Sequence, residues 1–86
     1  MKLPGPRSVF ELKPGEAATV CCVQAGNASP LDQGSLARLG ELGFLAGESV
    51  TLLRRGPGGR EPLAVQIGDT VFALRAVEAR CVLIED

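Results

Sequence analysis

The sequence predicts a mainly β domain, a small barrel with one inserted α-helix and a short helical turn before its last strand. Three observations predict it. Short apolar, β-branched runs bounded by Gly and Pro recur along the chain; leucines at helical spacing occur in one segment, Leu36, Leu39 and Leu42; and the strand–helix–strand alternation that builds a parallel sheet does not appear. At 86 residues the chain supports a single core, because a domain of this size buries only about two thirds of the surface its unfolded chain exposes.

The elements follow in order. Residues 1–8 read as an irregular, proline-containing lead, and residues 9–86 as one domain. Lys13-Pro14-Gly15-Glu16 places Pro and Gly as a type II turn requires. Ala18–Val23 is apolar on both faces, which predicts a central strand covered on both sides. Ser29-Pro30-Leu31-Asp32 offers a capping hydroxyl, a first-turn proline and a carboxylate, so a helix starts near Ser29 or a turn later at Ser35. Its leucine face packs inward, and Arg38 and Glu41 fall toward the wet side. Gly34 and Gly40 each cost about 1 kcal/mol relative to Ala, so tertiary packing must hold this helix. Gly43 suits the left-handed residue that ends it, with Phe44 folding back onto Leu39.

Ser49–Arg54 reads as the next strand, with Val50 and Leu52 on one face, and Gly56-Pro57-Gly58-Gly59-Arg60 forces a loop. Leu63–Ile67 then alternates into Gly68-Asp69, the two residues of a type II′ hairpin. A two-residue loop fixes the register: Ile67 opposite Thr70, Val65 opposite Phe72, Leu63 opposite Leu74. Arg75–Ala79 makes a single helical turn and Cys81–Ile84 a last short strand, a closing arrangement characteristic of SH3-like barrels.

Composition narrows the function. A formal net charge of −1 gives no long-range field toward a nucleic-acid backbone or an anionic membrane. Phe10, Phe44 and Phe72 are the only aromatics, too few for base stacking or for gripping Pro-rich peptides. The expectation is no nucleic-acid partner and no membrane insertion. Prolines stand where a signal peptide would place its apolar helix, and no stretch is long enough to span a bilayer, which predicts a cytoplasmic protein. With three cysteines and Cys21 beside Cys22, whose side chains leave a regular strand on opposite faces, a disulfide framework is not expected; the thiols read as buried and structural.

Catalytic chemistry finds no support in the residues. There is no histidine to partner a serine or cysteine, the Gly56–Arg60 loop lacks the Gly-Lys-Ser/Thr ending of a phosphate loop, and the nitrogen and sulfur ligands of a tetrahedral metal site cannot assemble locally. No cofactor is expected from these residues.

Arg38-Leu39-Gly40-Glu41-Leu42-Gly43-Phe44-Leu45-Ala46-Gly47 resembles the signature of the FeoA family, Arg-Leu-x-Glu-Leu-Gly-Phe followed by a glycine that launches a strand. Gly15, Val50, Pro57, Pro62, Gly68, Leu74-Arg75 and Glu78-Ala79 extend the likeness over all but the lead. The Pro57–Pro62 loop departs from it, being longer and richer in glycine. The resemblance implies an SH3-like barrel in the cytosol that assists FeoB, the ferrous iron transporter with a GTPase domain, and through the family's connection to iron it adds the expectation of weak or transient transition-metal binding.

On this reading Leu39, Leu42, Gly43, Gly47, Gly68, Leu74 and Arg75 are structural, with Arg75 pairing with Glu78 or holding a carbonyl of the closing turn. Arg38, Glu41 and the outer edge of Phe44 are candidates for touching a partner, as is the basic cluster Arg54, Arg55 and Arg60, which suits an acidic surface or a phosphate; a plain solvated face uses the same residue types. The expected function is a non-enzymatic adaptor that binds and modulates FeoB, with self-association open. The alternatives are a regulatory module of a metal-responsive repressor system, although no helix-turn-helix segment is present, and a small metal chaperone.

Overall fold

The structure, a computed structural model, describes residues 7–24 and 33–85. Its strands are β1 (Arg7–Ser8), β2 (Ala17–Val23), β3 (Ser49–Gly56), β4 (Arg60–Ile67), β5 (Thr70–Leu74) and β6 (Val82–Ile84), and its helices are α1 (Gln33–Leu42) and α2 (Ala76–Ala79). All pairings are antiparallel, in the order β1-β6-β2-β3-β4-β5. Among the described residues no ladder joins β5 to β1, so the sheet stays open.

β2 holds this order together by serving two ladders. Its first half, Ala17–Thr19, pairs with β3, and its second half, Val20–Val23, pairs with β6. The register slips between Val20 and Cys22, the kind of extra residue that bends a strand and lets it pass from one sheet surface to the next. The central position expected for β2 is observed. Its covering on both sides is not: Val20 is buried, but Cys21 beside it is exposed.

The β4–β5 hairpin has the register that its two-residue turn dictates, Ile67 opposite Thr70 and Leu63 opposite Leu74. Gly68 takes a φ of 58° while Asp69 does not have positive φ, which is the type II′ pattern. Leu63, Val65 and Leu74 are buried from this face, with Val50 and Leu52 of β3 beside them and Val20 and Val82 from β2 and β6. Gly56 ends β3 where a Cβ would lie 2.5 Å from the Glu61 carbonyl oxygen, so the hairpin backbones cross too closely for any side chain.

α1 ends as its sequence requires. The Phe44 N–H donates to the Leu39 carbonyl at 3.2 Å and the Gly43 N–H to the Gly40 carbonyl at 3.0 Å, with Gly43 at a φ of 116°. Leu39 and Phe44 both enter the core, and Leu36 and Leu42 pack partly against it. Of the two expected helix starts, Ser29 lies outside the described residues, and α1 begins at Gln33, two residues before Ser35.

The lead ends earlier than residue 8. Arg7 and Ser8 pair with Ile84 and Leu83 of β6, because the Glu11 carboxylate accepts the Ser8 N–H at 2.9 Å and fixes the 3-10 turn Val9–Glu11 that buries Val9. The type II turn at Pro14-Gly15 is in place, its Glu16 N–H donating to the Lys13 carbonyl at 2.8 Å.

Candidate functional site

The groove between α1 and the β5–α2 corner gathers residues that are far apart in sequence. It holds about 280 Å³, and Ser35, Arg38, Leu39 and Leu42 of α1 line it opposite Phe72, Ala73, Leu74, Arg75 and Glu78. Helical spacing puts Leu39 and Leu42 at its floor with Arg38 at its rim. Phe72 is half-buried and tilts 51° against the buried Phe44 at 5.8 Å between ring centroids, which fixes the floor from below. Arg75 reaches Glu78 at 3.6 Å, and the Glu78 carboxylate also accepts the Arg75 N–H at 2.7 Å, capping α2. The corner is tied again where Glu61 accepts the Ala76 N–H at 2.7 Å. The site thus sets a small apolar patch within a largely polar lining, with Arg38 unengaged by Glu78 and Arg75 paired to it, suited to a partner with a small apolar contact and a carboxylate beside it.

The sequence candidates separate here. Arg38 and Arg75 come together at this groove, although Arg75 was read as structural; its capping pair with Glu78 serves that role too. Glu41 is exposed on α1. Phe44 has no outer edge to offer: it is 1% exposed, because the helix-ending turn that begins at Gly43 drives it into the core. Phe72, Ser35 and Glu78 line the groove without having been singled out. The hairpin register did place Phe72 on the inner face, and only the docking of α1 shows that its rim stays open.

The basic cluster also divides. Arg54 and Arg60 are exposed, whereas Arg55 turns back on the domain. Its guanidinium donates to the carbonyls of Phe10 and Leu12, the latter at 3.0 Å, and to that of Gly59 at 3.5 Å, and it lies 5.0 Å from the Phe10 ring centroid. Arg80 lies 4.3 Å from the same ring. Arg55 is a clasp between the N-terminal turn and β3, not a partner contact. A second groove of about 560 Å³ lies on the outer face of the hairpin, lined by Arg54, Pro57, Pro62, Ala64 and Val71 with Phe72 and Ala73.

A scan of protein families matches the FeoA domain over residues 8–86. The chain belongs to the FeoA family. A crystal structure of Stenotrophomonas maltophilia FeoA complexed with zinc, an SH3 domain protein, is 42% identical over 91% of this chain and 88% of its own, at a TM-score of 0.79. FeoA from Chlorobium tepidum is 29% identical, covering 90% of this chain and 68% of its own at a TM-score of 0.69. A manganese-dependent transcriptional repressor in complex with manganese shares the fold at 18% identity and a TM-score of 0.74, over 96% of this chain and 37% of its own. Comparison with curated proteins returned no match.

This FeoA domain places its cysteines differently from the sequence expectation. β2 slips in register beside Cys21, which is exposed while Cys22 is half-buried, so neither is the buried thiol the sequence leads one to expect. Burial pushes the Cys22 thiol above its ordinary value, and interaction with the neighbouring Cys21 pushes the same way. Cys22 also donates toward Gln24 at 4.0 Å. Only Cys81 is buried. Among the described residues no three Cys, Asp or Glu side chains come together as a metal-holding group, and no helix is long and apolar enough to cross a membrane.

Proposed function

We propose that this chain is a non-enzymatic accessory protein of ferrous iron uptake that binds the cytosolic GTPase-containing part of FeoB and biases its state through binding energy alone. The observation that carries the reading is the α1–β5 groove: the family signature that supplies Arg38, Leu39 and Leu42 faces Phe72 and Arg75 across a cleft of mixed polar and apolar lining. The S. maltophilia relative, put forward as a candidate bacterial ferrous iron transport activating factor, lends the same direction at 42% identity. The groove offers shape and charge, its one carboxylate is engaged by Arg75 and no histidine is present to activate Ser35, which suits an adaptor.

The test is capture of purified FeoB GTPase domain by the tagged chain. Wild-type protein retains the GTPase domain, and Arg38→Glu, which reverses one rim charge at an exposed position, weakens capture. Equal capture by both, or none by either, overturns the reading.

A further inference from the structure

We propose that the free edge of β5 docks an extended, acidic segment of a partner polypeptide, which adds to the sheet as a further strand. The proposal rests on the accessory reading for the partner's identity, and on the fold alone for the chemistry of the contact.

The register decides which groups are available. In a ladder closed by a two-residue turn, Thr70, Phe72 and Leu74 exchange hydrogen bonds with Ile67, Val65 and Leu63. Val71 and Ala73 therefore aim their N–H and C=O groups away from β4. Both residues are exposed, Val71 at 55%, and the strand order ends at β5. Among the described residues no backbone hydrogen bond from outside the ladder reaches either one. Proteins commonly guard such an edge with lysine, proline, a bulge or a covering segment. Thr70-Val71-Phe72-Ala73-Leu74 carries neither charge nor proline, and its pairing with β4 runs without a slip.

The two grooves flank this edge, and Phe72 and Ala73 line both. An added strand sends alternate side chains to opposite faces, so it would lay one set in the outer groove beside Arg54 and the other in the α1 groove beside Arg38 and Arg75. The outer groove is mainly apolar beside Arg54, and the α1 groove sets a smaller apolar patch beside Arg38. Glu78, the carboxylate in the α1 groove, is already paired with Arg75. Charge then selects the occupant. With Arg75 and Glu78 offsetting each other, a second copy pairing β5 to β5 would still bring its own Arg54 and Arg38 to the same seam, an unfavourable meeting of like charges, whereas a segment bearing carboxylates is complementary on both faces.

The experiment titrates the isotope-labelled full chain with a capped peptide of Glu-Val repeats and follows backbone amides by NMR. The Val71 and Ala73 amides shift and gain protection from exchange, and Arg54→Glu weakens binding about fivefold. Binding is lost when alternate peptide nitrogens are methylated, and lost on Ala73→Pro with the remaining spectrum unchanged. Four results overturn the proposal: equal binding of the methylated peptide, equal binding of a Lys-Val peptide, shifts confined to other strands, or Val71 and Ala73 already protected in a dimer without peptide. Capture of FeoB is read separately, so a chain that binds the peptide and not the transporter upholds the edge and overturns the accessory reading.

Discussion

Removing the Arg55 guanidinium strips the Phe10 and Leu12 carbonyls of a charged donor and the Phe10 ring of one of its two guanidinium contacts. Arg55→Ala is expected to lower the unfolding free energy by about 1–3 kcal/mol, while Arg54→Ala stays within about 0.5 kcal/mol. Urea denaturation of both variants makes the comparison. No property of the Arg54-Arg55 pair in sequence separates these roles, since the carbonyl that Arg55 reaches belongs to a residue 45 positions away. Phe44 was legible in one respect and not in another: the glycine before it announced the helix end, but the same turn consumes the aromatic face that seemed available. The Cys22 thiol carries a pH signature. Because its folded-state value is raised, chiefly by burial, its contribution to stability is present in full below the unfolded thiol value and is lost as pH rises through the folded one. Stability measured by denaturant at increasing alkaline pH should fall more for wild type than for Cys22→Ser; parallel curves would show that the thiol is not perturbed.

At the scale of elements, whatever a short stretch decides for itself was readable. The β4–β5 hairpin register follows from Gly68-Asp69, and the end of α1 follows from Leu39, Gly43 and Phe44. Gly43→Ala tests the second: a side chain there must adopt a φ of 116° and meet the Ile67 Cγ2 at 3.3 Å, so a loss of about 1–2 kcal/mol is expected by thermal or urea unfolding. An unchanged midpoint would mean that the turn relaxes at no cost. β2 was readable only in outline. Its apolar composition marked a strand, but its division between β3 and β6 depends on partners distant in sequence, and the slip between Val20 and Cys22 has no marker in an alternating pattern. Arg7–Ser8 escaped for the same reason: a two-residue strand exists only because β6 is there to receive it.

For the whole molecule, the candidate site is a product of docking between segments. Arg38 and Arg75 stand 37 positions apart by subtraction of their numbers, and the sequence showed each of them without showing that α1 lies against the β5–α2 corner. What the signature around Arg38–Gly47 does is twofold: Leu39, Gly43 and Phe44 secure the helix to the core, and Arg38 and Leu42 furnish one wall of the groove. On the proposed function, this SH3-like domain supports ferrous iron uptake by presenting that wall to the transporter. The most direct measurement is radioactive ferrous iron uptake in a deletion strain that lacks any paralogue. The account predicts reduced uptake, restored by the wild-type chain and not by a folded Arg38→Glu variant. Intact uptake in the deletion strain, or full rescue by Arg38→Glu, would contradict it.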